Sequence, residues 1–181
     1  MAVEITYFVH GTTTDNEQHL ATGWLPGKLS EDGKQQARKL GEQVKDKHFD
    51  VVFCSDLQRA IDSAELGFGG TYEIIQDKRL RECDYGDMSG KPVASFKGGL
   101  EDFVDTPFPN GESYKDIEAR LASFVAFLHA NYDGKRIAIV AHQDPQLALD
   151  VLLKNKTWKQ AITDDWRKTK AWQPGWDYTA A

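Results

Sequence analysis

Two histidines, one arginine and one glutamate occupy positions in the sequence from which side chains could do chemistry. His10 directly follows the apolar segment VEITYFV, within the stretch YFVHGTTTDNE, and His142 ends the apolar segment RIAIVAH. A neutral imidazole can act as a nucleophile, and a guanidinium such as that of Arg59 can hold an anion. A carboxyl group such as that of Glu82 can serve as a general acid or base. Each residue taken singly also has an ordinary structural explanation, so their relative placement decides what they indicate.

The elements predicted around these residues bring three of them to one edge of a sheet. Predicted strands and helices alternate along the chain, which is typical of a three-layer α/β/α sandwich with a mostly parallel central sheet. Ligands of such sheets bind beyond the carboxyl ends of the strands, so His10, Arg59 and His142 are expected to converge there. The predicted strands are 3–9, 50–55, 71–75 and 136–142, and the predicted helices are 30–47, 56–68, 113–133 and 145–153.

Length and composition indicate one cytoplasmic domain over residues 1–181, with a small lid at about 83–112, where glycine and proline are frequent and a short helix is expected. The net charge of −6 disfavours nucleic acid as a partner, because nucleic-acid-binding proteins usually carry a basic patch. The apolar runs are too short to span a bilayer, so no membrane partner is expected. Two cysteines, Cys54 and Cys83, are too few for a disulfide framework and lack the spacing of metal ligands.

Six short motifs in chain order resemble those of a known family, the histidine phosphatase superfamily, also called phosphoglycerate mutase-like. The resemblance covers roughly residues 3–153. In that family the first motif contains the nucleophilic histidine, the third an arginine, the fourth an acid and the sixth a second histidine. Here the motifs read HGTTTDN (10–16), TGWLPGKLSEDGKQQA (22–37), SDLQRA (55–60), LRECDYG (80–86), PNGES (109–113) and IAIVAH (137–142).

The sequence also departs from the family pattern at three positions near the two histidines. Val9 stands where the family has an arginine, immediately before the nucleophilic histidine, through either a substitution or a deletion that closed up the motif. Thr12 stands where an acidic residue is often found, and Gln143 stands where glycine usually follows the second histidine. The missing arginine matters most, because two arginines normally share the phosphate in this family.

The resemblance implies a metal-independent phosphomonoesterase that acts on a small phosphorylated metabolite through a phosphohistidine. It makes His10 the nucleophile and Glu82 the general acid that protonates the leaving group. Arg59 and His142 are then the groups that stabilise charge on the phosphoryl oxygens. No step needs a metal or another cofactor. The further substrate-binding candidates are Asn16, Thr13, Thr22, Gly23 and Gln143.

The valine at position 9 leaves three interpretations open. Another basic group could replace the missing guanidinium, with Arg81 and Lys28 as candidates. The protein could instead be a slow phosphatase, or a catalytically impaired protein that only binds a phosphate ligand. We favour weak or altered phosphatase activity, because the sequence retains all four candidate catalytic residues, His10, Arg59, Glu82 and His142. A phosphoglycerate-type mutase is disfavoured, because a mutase must exclude water and this chain has room for only a small lid.

The end of the chain is rich in aromatic residues. We expect these side chains to cover the sheet or a neighbouring helix. The alternatives are a homodimer contact, where aromatic residues are enriched, or a wall of the substrate pocket. The residues concerned are Trp158, Trp166, Trp172, Trp176 and Tyr178.

Overall fold

The computed structural model describes residues 2–169 and 175–181. Among these residues, the strands are β1 (Val3–Val9), β2 (Val51–Cys54), β3 (Ile74–Gln76), β4 (Arg136–Ala141) and β5 (Trp176–Ala180). They form one sheet in the order β3-β2-β4-β1-β5. β5 is antiparallel to β1, and the other neighbouring strands are parallel. The predicted α/β fold with a mostly parallel sheet is confirmed.

Helices cover both faces of the sheet, because the inner strands are apolar on both sides. Phe8 of β1 and Val52 of β2 pack towards α2 and α3, while Phe53 of β2 and Ile139 of β4 pack towards α4 and α5. This is the pattern of parallel strands that are buried on both faces. In the described part of the chain the helices are α1 (Thr14–Glu17), α2 (Glu31–Gln43), α3 (Gln58–Phe68), α4 (Tyr114–Tyr132), α5 (Gln143–Lys154), α6 (Trp158–Thr163) and α7 (Trp166–Thr169).

Several predicted boundaries were wrong, for local reasons. The third strand was predicted over 71–75 but covers Ile74–Gln76, because the backbone N–H groups of Thr71 and Tyr72 donate to Phe68 in a turn. The first long helix was predicted to reach residue 47 but ends at Gln43, where Val44 is the C-cap residue. The helix predicted from 145 begins at Gln143, since a proline in the first turn leaves the helical hydrogen bonds intact.

The predicted lid region contains three short 3₁₀ helices, at Gly86–Met88, Val93–Ser95 and Lys97–Phe103, rather than one short helix. Aromatic rings hold this segment on the protein. The ring of Phe108 stacks on that of Phe103 at 3.8 Å between centroids, and Phe96 packs on Tyr85 at 5.2 Å. Residues 83–112 therefore carry their own small aromatic cluster.

The aromatic residues near the end of the chain have different environments. Trp158 is buried against Tyr114, with 5.0 Å between ring centroids. Trp176 and Tyr178 belong to β5, an edge strand that sequence analysis did not predict, and both are buried. Trp166 lines the cleft described below. Trp172 lies outside the described residues. None of the described helices is long and apolar enough to cross a membrane.

Candidate active site

The two histidines meet because β1 and β4 are neighbouring parallel strands in register. Val9 pairs with Ala141, so His10 and His142 follow paired residues at the same edge of the sheet. Their ring centroids are 5.1 Å apart, at an interplanar angle of 64°. The predicted convergence of these two side chains is therefore a consequence of strand register.

His10 is held in one orientation and one tautomer. Its Nδ1 lies 2.7 Å from the carbonyl oxygen of Gly11. A carbonyl oxygen can only accept, so Nδ1 carries the proton and Nε2 carries the lone pair. Burial, and then the positive charge of Arg59, lower the pKa of His10 to about 3. The imidazole is thus neutral at pH 7, which is the state that a nucleophile requires.

Helix α2 supports the turn that follows His10. Its glycine, Gly33, lies so close to that turn that a Cβ atom there would be 1.9 Å from the carbonyl oxygen of Thr12. Gln36, one helical turn further, accepts hydrogen bonds from the backbone N–H (2.9 Å) and the hydroxyl (3.0 Å) of Thr12. The N–H of Gly11 donates to the Ser63 hydroxyl at 3.1 Å. The GKQQA segment therefore fixes the backbone that aligns His10.

Arg59 enters the site from the first turn of α3 and is only 2% exposed. Its guanidinium donates to the carbonyl oxygens of Gly23 at 2.8 Å and Leu25 at 3.3 Å. A Cβ atom at Gly27 would lie 3.0 Å from Cγ2 of Thr22 and 3.4 Å from Cδ of Arg59, so the loop packs closely on the arginine side chain there. The TGWLPG loop is thus a clamp that orients a buried guanidinium.

His142 lies behind His10 rather than on the wall of the cleft, because its side chain is fully buried. Within the described residues neither ring nitrogen has a hydrogen-bond partner. Burial, and then the charge of Arg59, hold its pKa well below the usual range. Its backbone is fixed by Tyr7, whose hydroxyl donates to the carbonyl oxygen of His142 at 2.6 Å and accepts from its N–H at 3.0 Å.

Glu82 is 6% exposed and is tied to the N-terminus of α5. Its Oε1 accepts from the backbone N–H groups of Cys83 and Asp144, both at 3.1 Å. Its own carbonyl oxygen accepts from the Trp24 indole at 2.8 Å and from Arg120 at 3.0 Å. The tryptophan of the TGW motif therefore positions the candidate acid through its backbone.

These residues border a cleft of about 1160 Å³. His10, Arg59 and Glu82 line it on the side of the sheet, and Val93 and Leu100 line it on the side of the lid region. Most of the lining residues are apolar or uncharged, and the charged ones are Lys39, Arg59, Glu82, Asp165, Arg167 and Lys168. A cleft of this size can hold a small phosphorylated metabolite.

The further candidates for substrate binding fall into two groups. Asn16, Thr22, Gly23 and Gln143 line the cleft, and Thr22 donates to Asp15 at 2.8 Å. Thr13 does not line the cleft, because it is fully buried and its hydroxyl caps α1 by accepting from the N–H of Asn16 at 3.0 Å. Thr13 therefore supports the loop and is not placed to contact a substrate.

Val9 lines the cleft, but neither suggested replacement for the missing arginine is among the described lining residues. Arg81 is held away by Asp56, to which it makes two hydrogen bonds of 2.7 Å, and its guanidinium lies 4.7 Å from the ring centroid of Trp24. The Lys28 side chain is exposed to solvent.

Sequence analysis missed three residues that shape the site. Tyr7 and Ser63 support the backbones at His142 and Gly11, and Arg167 of α7 lines the cleft. A tyrosine in a strand and a serine in a helix have no distinctive spacing. Arg167 lies in a segment without a family motif, so only the fold reveals that it reaches the site. Among the described residues no group of three or more histidine, cysteine or acidic side chains could hold a metal ion.

Comparisons with known proteins agree on one family. Residues 7–172 match the model of the histidine phosphatase superfamily (branch 1). A 2,3-bisphosphoglycerate-dependent phosphoglycerate mutase of Methylorubrum extorquens (strain PA1) is 35% identical over 167 residues, which cover 83% of this chain and 78% of the mutase. A Bacillus subtilis (strain 168) protein named uncharacterized phosphatase PhoE is 33% identical over 134 residues, or 74% of this chain and 68% of that protein.

The fold of this chain is also similar to that of a solved phosphatase structure. The native structure of a mycobacterial glucosyl-3-phosphoglycerate phosphatase superposes with a TM-score of 0.78 at 27% identity, covering 90% of this chain and 84% of that one. Family model, relatives and fold are consistent with the ordered motifs around His10, Arg59, Glu82 and His142. The chain therefore belongs to the histidine phosphatase superfamily, branch 1.

Proposed function

We propose that this protein is a metal-independent phosphomonoesterase that transfers the phosphoryl group of a small phosphorylated metabolite to His10 and then to water. The observation that carries this proposal is the 2.7 Å contact of Nδ1 of His10 with the carbonyl oxygen of Gly11, from which we infer that Nδ1 carries the proton. The lone pair of Nε2 is then available for attack on phosphorus. The buried guanidinium of Arg59 lines the same cleft.

The reaction has two steps that return the enzyme to its initial state. In the first, the Nε2 lone pair forms an N–P bond while the bond from phosphorus to the ester oxygen breaks, and Glu82 gives a proton to the leaving oxygen. In the second, water attacks phosphorus and gives a proton to Glu82, and the N–P electron pair returns to Nε2. Arg59, which lines the cleft, stabilises the charge on the phosphoryl oxygens, whereas His142 lies buried behind His10 and does not reach them.

The first test is phosphate release from a panel of small phosphate monoesters in the presence of a chelator. Wild type is compared with His10→Ala, which should abolish turnover. Rapid quenching should trap an acid-labile, alkali-stable phosphoenzyme in the wild type alone. Chelator-sensitive turnover, or turnover that persists in His10→Ala, would refute the proposal.

The role of Glu82 can be tested separately with Glu82→Gln. The amide retains an Oε1 that can accept from Cys83 and Asp144, so the local fold should survive. An ester with a good leaving group, such as para-nitrophenyl phosphate, needs little help from an acid when the ester bond breaks. Glu82→Gln should therefore slow phosphoenzyme formation much more with an alkyl phosphate than with para-nitrophenyl phosphate. An equal loss with both substrates would contradict the assignment.

Two alternatives have specific support. The valine at position 9 favours a protein that only binds a phosphate ligand, which would gain thermal stability with that ligand but release no phosphate. The named mutase relatives favour a phosphoglycerate mutase. Incubation with 3-phosphoglycerate and 2,3-bisphosphoglycerate distinguishes them, since a mutase forms 2-phosphoglycerate faster than it releases phosphate.

A further inference from the structure

Two departures from the family pattern lie in the same cleft. Val9 stands where the family has an arginine before the nucleophile, and Gln143 stands where it usually has a glycine after the second histidine. β1 and β4 end side by side, so both positions fall at one edge of the sheet, and both side chains line the cleft. Val9 has no guanidinium, while Gln143 has a side-chain amide that can bind the guanidinium of another arginine.

Gln143 connects this edge of the sheet to α7. Its side-chain oxygen accepts a hydrogen bond from Nη1 of Arg167, and its side-chain nitrogen donates to Asp165. The other carboxylate oxygen of Asp165 accepts from the backbone N–H of Arg167 at 3.0 Å. Gln143 thus holds the guanidinium of Arg167 at the cleft, and Asp165 holds both the amide of Gln143 and the backbone of Arg167.

The charge of Arg167 acts on the reacting groups. Burial and then the charge of Arg59 are the main causes of the lowered pKa values of His10 and His142, and Arg167 adds a smaller contribution to both. It also contributes to the lowered pKa of Arg59. Arg167 lines the same cleft as His10 and Arg59, and these contributions agree with that placement.

We propose that Arg167, positioned by Gln143, supplies the second guanidinium for the substrate's phosphate group in place of the arginine missing at position 9. This inference rests on the proposed function in taking a phosphate as the ligand of the cleft. A guanidinium has five N–H donors in a planar fork, so one hydrogen bond to Gln143 is compatible with others to phosphoryl oxygens. Gln143 is a positioning residue in this arrangement.

The other cations of the described chain fit this role less well. Lys39 and Lys168 also line the cleft, but a lysine is a flexible point charge without the fork that matches two phosphoryl oxygens. Arg120 donates to Glu112 at 3.0 Å and to two backbone carbonyl groups, which commits it to α4 and the Glu82 segment.

The direct test measures binding of inorganic phosphate and orthovanadate by calorimetry, which does not require turnover. Arg167→Gln should weaken binding roughly 10- to 100-fold, the range expected for a lost charge-assisted hydrogen bond. Arg38→Gln is the matched control, because Arg38 is exposed on α2 and does not line the cleft. Arg167→Lys, which retains the charge, should lie between Arg167→Gln and wild type.

A rescue experiment separates a role in phosphate binding from a role in folding. Val9→Arg places an arginine on β1 where the family has one, so it should recover phosphate binding in Arg167→Gln and in Gln143→Gly. A fold defect caused by losing either side chain would not be repaired by an arginine on β1. Thermal unfolding of each variant establishes that the compared proteins are folded.

The outcomes for this inference differ from those for the proposed function. Equal binding by Arg167→Gln and wild type, an equal loss in Arg38→Gln, or no binding of either anion by the wild type would overturn it. Turnover that needs His10 but not Arg167 would leave the proposed function standing and refute the inference. Anion binding that needs Arg167, in a protein that releases no phosphate, would support the inference and refute the proposed function.

Discussion

Replacing Gly33 with alanine should damage turnover far more than it damages folding. Gly33 lies in the first turn of α2, where a Cβ atom would be 1.9 Å from the carbonyl oxygen of Thr12. Ordinary van der Waals contact begins at about 3.4 Å, so the two backbones must separate by about 1.5 Å. The backbone fixes the position of a Cβ atom, and the Thr12 oxygen belongs to the main chain, so no side-chain rotation can relieve the contact.

The displaced segment is the one that aligns the nucleophile. Thr12 follows Gly11, whose carbonyl oxygen fixes the tautomer of His10. Misplacing a reacting group by about 1 Å can cost about 10²-fold in rate, and we expect a loss of that order in kcat/KM. The cost in stability should leave nearly all of the protein folded, because a domain is typically stable by about 5–15 kcal/mol. Overpacking costs about 1–3 kcal/mol, and alanine returns up to about 1 kcal/mol of helix propensity relative to glycine.

Gly41→Ala is the matched control on the same helix. A Cβ atom at Gly41 would lie 2.1 Å from the carbonyl oxygen of Gly67 in α3, which is a comparable backbone contact. Gly41 lies near the other end of α2 from Gly33, and it does not contact the turn that follows His10. Both variants should therefore unfold at lower urea concentrations, while only Gly33→Ala loses most of its phosphate release. Equal turnover losses in the two variants, or full activity in Gly33→Ala, would refute the reasoning.

Three further predictions concern the buried supports of the site. Below about pH 6.5 His10 and His142 become protonated in the unfolded chain but stay neutral in the folded state. The free energy of unfolding should therefore decrease as the pH is lowered, by up to about 1.4 kcal/mol per pH unit for each histidine. Denaturant titrations should show a shallower fall in His142→Gln, and an unchanged slope would be contrary evidence. Tyr7→Phe leaves the buried N–H of His142 without its partner and should lower the free energy of unfolding by about 1–3 kcal/mol, again by denaturation. Trp24→Phe removes the hydrogen bond to the Glu82 carbonyl oxygen and should reduce kcat/KM by the equivalent of about 1 kcal/mol, with little change in melting temperature. An unaltered kcat/KM would show that Trp24 does not help to position Glu82.

The parts of the fold that could be predicted are those with strong local patterns. β1 begins and ends where the apolar run VEITYFV does, because an inner strand is buried on both faces. β5 could not be predicted, since WDYTA alternates buried and exposed residues over only five positions and gains its hydrogen bonds from β1, which is distant in sequence. Pairing between remote segments leaves little trace in either segment alone.

In the candidate site, too, the sequence predicted the residues that belong to motifs but not the contacts made across the fold. Residues inside family motifs were identified by type and order, and the register of β1 against β4 brings His10 beside His142. The burial of His142 and the capping role of Thr13 depend on neighbours that no motif names. A motif identifies a residue's type and neighbours in the chain, while contacts across the fold determine whether its side chain reaches the cleft.

The valine at position 9 shows that the effect of a departure from a motif depends on residues elsewhere in the fold. A phosphate ligand, as we propose for this cleft, needs cationic groups at its oxygens, and this requirement does not specify which strand or helix provides them. A guanidinium lost from β1 can be replaced from α7 only if something holds the new one at the cleft. On our proposal Gln143 does so, and the glycine that the family usually has there could not, because it has no side-chain acceptor. The two departures then form one compensated change, and Val9→Arg should be nearly neutral in the wild type but strongly restorative once Arg167 or Gln143 is removed.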